Sequence, residues 1–401
     1  MSDNIPFEIQ SEIIKRLPVK SLIQFRTVSK PWKSLIDSSP FINHYSSQHT
    51  HTQRLLVTYD DPVDSATTYV SIADDDTFPQ QKVSYSLPLL TTNILKYSSI
   101  IGTSHGLVCL YGSDDIGKEI AVVCNLSIRK AVGVVMPDLP SGITFGIVVG
   151  FGVCRETNDP KIVKITYISS WDDMESISSI PSQVEVFTLS SGAWRGPCSS
   201  NLPRKSIRFS LDSVVIDGVL YWLAGDGVNT RSGYNYYMLI ISFDLTSEEF
   251  GEIYLPDSLA RVDDYNLSIS KVRNSLVVLR RFLDDSGFSV WMMLGGVPQS
   301  FIRMFTIKSP DLLIKGFRKN GEPIIEMVQH HPGQRDGSFF VAYDPCSKDI
   351  VNLEIDVFAR SFCVFPYIET LLLLDQPDFV IYDQGKATLH SVAPSDEGKN
   401  H

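Results

Sequence analysis

The sequence has no apolar run near the roughly 18 residues that a membrane-spanning helix needs. The run Thr370–Leu374 is short, stops at Asp375 and reads as a buried strand. No excess of basic charge is present. The formal net charge is -11, which argues against general nucleic-acid binding, because phosphate contacts need a basic surface. Cys109, Cys124, Cys154, Cys198, Cys346 and Cys363 include no C-x-x-C pair and lie far apart, so they read as reduced, mostly buried thiols of an intracellular protein. No signal-peptide pattern opens the chain, and neither a nucleic-acid nor a membrane partner is expected.

Motifs for chemistry are equally scarce. His49-x-His51 and His330–His331 have no Cys or acidic partner at ligand spacing and read as solvated loop histidines. Asp74–Asp75–Asp76 and Asp114–Asp115 sit in no EF-hand frame and read as exposed turns. Gly150-x-Gly152 is not followed by Lys-Ser/Thr, so it is no phosphate loop. No G-x-S-x-G nucleophile elbow, which is a strand-to-helix turn, and no Cys–His nucleophile pair is expected. No catalytic residue, metal or cofactor is expected. A sugar- or small-molecule-processing propeller would need a convergent polar cluster, and none stands out.

What is present divides into two parts. Residues 5–40 follow a helical period. Pro6 suits a helix start, Ile9, Ile13 and Leu17 recur at spacings of four, and Pro18 ends one helix and opens the next. Leu22, Ile23 and Phe25 repeat the pattern, and Pro31 starts a third turn with Trp32, Leu35 and Ile36. Three helices this short cannot bury all those apolar side chains among themselves, so some face a partner. Residues 1–45 carry six basic and four acidic side chains, whereas the remainder carries 29 basic and 42 acidic. Residues 46–54 are polar and read as a linker.

Beyond it the pattern turns to short runs rich in Val, Ile, Phe, Tyr and Trp, separated by turn residues. Asp217–Gly218, between Val214–Ile216 and Val219–Tyr221, is a two-residue hairpin signal. Trp194, Trp222 and Trp291 read as core wedges. A strand–turn–strand unit recurs with turns at Tyr59–Asp60, Asn125–Ser127, Thr188–Ser190, Asp244–Thr246, Asp344–Cys346 and Asp383–Gly385. The wide gap after Asp244 implies a further turn near Met293–Gly296, and a period of about 50 residues suits kelch-like blades. Six or seven blades would close into a propeller over residues 55–393, with two packed sheets as the alternative. Phe379–Tyr382 and Thr388–Val392 are expected to form a final hairpin that closes the ring against Leu55–Tyr59. Residues 394–401 read as a disordered tail.

Residues 5–41 resemble the F-box. The carriers are Ile5–Pro6, Leu17–Pro18 and the segment Val28, Lys30, Trp32, with Ile5 in place of the usual Leu and Pro31 where Ser is common. The remainder is similar to the F-box-associated interaction domain of plant-type F-box/kelch-repeat proteins, the S-locus F-box kind included. Matching segments are SHGLVCL (104–110), NLSIRK (125–130), GFGV (150–153), VEVFTLSSGAWR (184–195), VVIDGVLYWL (214–223), IISFDLTSEEFGEIYLP (240–256), FSVWMM (288–293) and VAYDPCSKDIVNLEI (341–355). Leu126 departs from a usual Pro, Val153–Cys154 from a usual Tyr-Asp, and residues 55–100 match less well.

The resemblance implies a mostly β chain with a small three-helix F-box and a propeller. It implies a non-catalytic substrate receptor of an SCF (Skp–cullin–F-box) ubiquitin ligase, in the cytoplasm or nucleus. Ile5, Pro6, Ile9, Ile13, Leu17, Pro18, Leu22, Val28 and Trp32 would meet a Skp-family adaptor, which brings the cullin and RING subunits. The propeller would hold a target protein through loops such as Trp171–Ile180, Asp226–Tyr237, Val262–Leu267 and His330–Ser338. The residues expected to carry that contact are Trp171, Asp226, Tyr234, Tyr236, His330 and Arg335. A scaffold that uses its F-box outside the ligase is the alternative.

Overall fold

Among the described residues, four helices open the chain and 26 strands follow. A computed structural model describes residues 5–48, 53–61, 66–95, 97–138, 145–168, 183–197, 202, 207–230, 233–262, 264–282, 287–295, 300–308, 312–329, 337–358, 362–377, 379–383 and 385–389. The helices are α1 (Phe7–Ile14), α2 (Val19–Phe25), α3 (Lys30–Ile36) and α4 (Ser39–Gln48). Pro6 and Pro18 stand immediately before α1 and α2, where a missing N–H costs nothing. Ser29 caps α3, its hydroxyl accepting from the backbone N of Trp32 at 3.3 Å. A fourth helix was not expected. Residues 46–48, read as linker, are its last turn, and Ser46 is buried.

The strands form six sheets. The chain runs through β1 (Arg54–Asp60), β2 (Thr67–Ala73) and β3 (Lys82–Tyr85), then β4 (Tyr97–Ser104), β5 (Leu107–Ser113), β6 (Glu119–Asn125) and β7 (Lys130–Val135). The third sheet holds β8 (Phe145–Val153), β9 (Pro160–Ile168), β10 (Gln183–Thr188) and β11 (Ala193–Arg195). The fourth holds β12 (Ile207–Ile216), β13 (Val219–Thr230), β14 (Gly233–Asp244) and β15 (Phe250–Tyr254). The fifth holds β16 (Leu267–Val272), β17 (Ser275–Phe282), β18 (Gly287–Leu294) and β19 (Ser300–Lys308). The sixth holds β20 (Leu312–Phe317), β21 (Pro323–Gln329), β22 (Gly337–Tyr343) and β23 (Ile350–Phe358). Last come β24 (Cys363–Tyr367), β25 (Phe379–Asp383) and β26 (Lys386–Leu389). The result is a six-bladed β-propeller behind a helical module.

Side-chain alternation explains how the ring holds together. Leu55 and Val57 of β1 pack against Phe340 and Leu353 of the sixth blade, whereas Leu56 between them packs against Val108 and Leu110 of the second. Both faces of a blade are buried, so its middle strands read as continuous Val/Ile runs instead of alternating ones. Each seam between blades has such a cluster. Gly150 and Gly152 on β8 belong to one: a Cβ at Gly150 would stand 2.4 Å from the Trp222 ring and one at Gly152 2.6 Å from Leu245. Close approach of the next blade, not phosphate binding, accounts for these glycines. Asp217 (φ 47°) and Gly218 (φ 72°) make the β12–β13 turn that their sequence announces.

The turn repeat is real but only part of it is equivalent. Asn125, Thr188 and Asp244 each end a blade's third strand and Asp344 directly follows one, and the residue four positions on has a positive φ: Arg129, Gly192, Glu248 and Lys348. The turn placed near Met293–Gly296 falls in the corresponding β18–β19 connection. Tyr59–Asp60 instead ends a second strand, and Asp383–Gly385 belongs to the β25–β26 hairpin.

Ring closure differs from the expectation. β24, not Phe379–Tyr382, pairs antiparallel with β1, in a register that sets Val57 opposite Val364. It thereby supplies the innermost strand of the first blade. Phe379–Asp383 does form a hairpin, with Lys386–Leu389, but β25 runs parallel to β7 on the outer edge of the second blade. Thr370–Leu374 is buried as expected, yet it forms successive turns and no strand, with Leu373 at φ 71°. The tail 394–401 and both histidine pairs lie outside the described residues. Asp74 is no exposed turn residue. It is buried, 3.0 Å from the Arg318 guanidinium, and accepts from the backbone N of Lys319 at 2.6 Å.

Candidate functional site

The helical module has an inner and an outer side. Ile14, Val19, Leu22, Ile36, Phe41, Ile42 and Tyr45 form the inner side and share one apolar cluster with Leu371–Leu374 and with the second and third blades. Ile5, Phe7, Ile9, Ile13 and Val28 are exposed: Ile9 and Ile13, one turn apart on the outer face of α1, are each 52% exposed and Val28 63%, while Phe7 is open at the start of the helix. Pro6 and Pro18 are exposed beside them. Phe7 was missed from sequence, although an aromatic at the first position of a helix was a usable signal.

Three expected contact residues divide between the two sides. Leu22 is fully buried within the chain, because α2 turns it toward α4 and Leu371–Leu374, so it is a core residue and not an exposed anchor. Leu17 is half-buried, and its carbonyl accepts from the Tyr45 hydroxyl at 2.9 Å. Trp32 is half-buried, with its ring edge on Phe25 at 5.2 Å and its indole N–H donating to Gln10 Oε1 at 3.1 Å. That bond ties α3 to α1. Arg26 and Lys33 both reach Asp37, Lys33 at 2.6 Å. Partial burial pushes the Asp37 carboxyl up, but the bonds to Arg26 and Lys33 outweigh it and hold it below the usual range.

The propeller offers two ends. First-to-second and third-to-fourth strand turns lie at the end that carries the helices: Asn125, the last residue of β6, touches Thr370 and Leu372, and Ser46 of α4 touches Thr370. Also at this end, Arg54, Asp74, Lys271, Arg273, Arg318 and Lys319 line a small cavity. Burial pushes the Lys271 amine down to about 8 from 10.5, and its ammonium donates to the Val215 carbonyl at 3.0 Å.

The four loops expected to bind a target are flanked by strand ends at the opposite end. They join β9–β10, β13–β14, β15–β16 and β21–β22. Trp171, His330 and Arg335 lie outside the described residues. Asp226 is a strand residue, paired with Ile207 on one side and Tyr237 on the other. The backbone of Tyr234 and Tyr236 lies in β14, opposite Asn229 and Gly227; their side chains are outside the described set. What looked like a loop is thus a long hairpin, with β13 and β14 twelve residues each and paired out to Thr230 and Gly233. Beside it the Tyr237 hydroxyl donates to Asp257 at 2.8 Å, and Tyr265 is 93% exposed.

Among the described residues, no group of three or more His, Cys, Asp or Glu side chains is arranged to hold a metal ion. No described helix is long and apolar enough to cross a membrane.

The chain thus has two parts, a helical module with exposed apolar residues and a closed ring of blades. The comparisons agree. The F-box domain family matches residues 2–44, and the F-box associated β-propeller domain family matches residues 51–341. The chain belongs to the F-box proteins with an F-box-associated β-propeller. It is similar to the F-box protein CPR1 of Arabidopsis thaliana, 28% identical over 76% of this chain and 73% of that protein. An F-box/kelch-repeat protein of the same plant is 24% identical over 72% of this chain and 75% of its own length.

Proposed function

We propose that this chain is the substrate-receptor subunit of an SCF-type ubiquitin ligase and has no catalysis of its own. The observation that carries the reading is the outer side of the helices. Ile5, Phe7, Ile9, Ile13 and Val28 stay exposed although the same helices bury a full set of apolar residues on their inner side. Docking a Skp-family adaptor removes that surface from water, which stabilises the complex by about 25 cal/mol for each Å² of apolar area covered. Leu17, Pro18 and Trp32 border the surface, while Leu22 supports it from beneath.

The far end of the ring is the place for the target protein. The β13–β14 hairpin carries Asp226, Tyr234 and Tyr236, and the strand ends flanking Trp171, His330 and Arg335 support the same reading. Tyrosine is well suited to such a role, since it combines a large apolar face with a polar tip. Adaptor and target then occupy opposite ends of one rigid ring, leaving both free to bind at once.

Co-expression of the full chain with a Skp adaptor, a cullin and a RING subunit tests this. The reading predicts one stable complex containing all four. Capture of the adaptor without cullin would instead favour a scaffold acting outside the ligase.

A further inference from the structure

The third-strand turn differs between blades at one informative position. Blades four and six use Asp244 and Asp344, whose carboxylates accept from backbone N–H groups inside the turn at 2.7 Å. Blade two uses Asn125. Its Oδ1 makes the equivalent turn bond, accepting from Ser127 N at 3.0 Å. Its amide nitrogen does what no carboxylate can, donating to the carbonyls of Thr370 at 2.9 Å and Leu372 at 2.8 Å. Asn125 is fully buried, so both bonds form away from water, where leaving either partner unmade is costly.

The segment it grips, residues 366–376, is fastened on both sides. Toward the propeller, Thr103 donates to the Pro366 carbonyl at 3.2 Å, Ser127 and Tyr367 share a 2.7 Å hydroxyl bond, and Lys130 donates to the Gln376 carbonyl at 2.7 Å. Gly106 lies so close to the segment that a Cβ there would stand 2.3 Å from the Ile368 carbonyl. Toward the helices, Ser46 of α4 meets Thr370 at 3.1 Å, and Leu371–Leu374 fill the inner side of the helical module.

We infer that this C-terminal strap, gripped by Asn125, is the positioning element that sets the orientation of the helical module on the propeller. The covalent connection through residues 49–52 is not what sets it. The inference rests on the proposed receptor role, in which orientation fixes where a held target stands relative to the adaptor. Asn125 acts through the strap and touches neither partner.

The test reads orientation directly, on the full chain without partners. Spin labels at Arg16→Cys and Ile116→Cys, in a chain with its other accessible cysteines changed to Ser, report one distance by pulsed electron resonance. A single narrow distribution is expected. Inserting eight Gly/Ser residues between 50 and 51 leaves it unchanged if the strap sets the orientation. Asn125→Asp keeps the turn acceptor but loses both donors, so the distribution broadens severalfold at a temperature where circular dichroism shows the β domain still folded, although its unfolding mid-point falls. Asp344→Asn, the reverse change in blade six, leaves the distance alone. A distribution that broadens on insertion, or stays narrow in Asn125→Asp, would overturn the inference. A fixed distance in a chain that captures no adaptor would support the strap and sink the receptor reading instead.

Discussion

The blades and the helices differ in how completely each satisfies its own apolar residues. A blade faces a neighbour on both sides, so Leu55 and Leu56 of β1, pointing opposite ways, are each buried within the ring. The helices have a neighbour on one side only. Leu22, Ile36 and Tyr45 are as buried as any blade residue, whereas Ile9, Ile13 and Val28 are not. Among the described residues the ring buries most of its large apolar side chains within itself, whereas the helical module, in the proposed reading, completes its burial against a partner. That asymmetry says more about function than either part alone.

Opening the ring is the sharpest way to break this comparison. Deleting residues 363–401 removes β24, which leaves β1 and its neighbours with unpaired edges, and removes the strap. Insoluble or aggregated protein is expected, and a soluble monomer would show that the ring needs no closing strand. Next in size is Leu22→Ala. As a fully buried core residue it should cost about 2–5 kcal/mol in chemical denaturation. Adaptor affinity measured well below the unfolding range should barely change. A large loss of affinity at unchanged stability would put Leu22 back on the contact surface.

Deleting residues 378–401 should do less. β25 and β26 cover the edge of β7 but do not close the ring. The chain should stay folded, with a lowered unfolding mid-point and a concentration-dependent tendency to associate through β7 in sedimentation. Failure to fold would make this hairpin part of the ring after all.

Smallest is Lys271→Met. The Lys271 amine sits near 8 when folded and near 10.5 when free. The unfolded chain therefore binds more protons between those values, and this residue's contribution to stability rises with pH across that window. Below about 8 both states are protonated and the burial penalty is constant. The stability difference between variant and wild type, followed from pH 7 to 10, should favour the variant most at pH 7 and shrink upward. A flat difference would mean the amine keeps its ordinary affinity for protons.

Much of this was legible in residues. The F-box showed itself because prolines and apolar spacings are local signals, and the Asp217–Gly218 turn because two positive φ values need those residue types. Second and third strands such as β9 and β13 were legible because both faces are buried. Inner and outer strands, among them β16 with its Ser and Lys residues and β19 with exposed Ile302 and Met304, carry a weaker pattern since one side meets the channel or solvent. Closure was misassigned because Cys363–Tyr367 and Phe379–Asp383 are both short aromatic runs; which one meets β1 is decided by the strap between them. The split of the helical stripe into Leu22 inside and Ile9 outside was not legible either, as it depends on Leu371–Leu374, more than three hundred residues away.

The central claim is that the outer helical side is a docking surface and not misplaced core. One binding titration tests it: a purified Skp-family adaptor against the full chain and against Ile9→Asp/Ile13→Asp, with thermal unfolding recorded for both. The account predicts that the double variant loses at least a hundredfold in affinity, about 2.7 kcal/mol, while its unfolding mid-point stays at the wild-type value. Undiminished adaptor affinity in a folded double variant would contradict it.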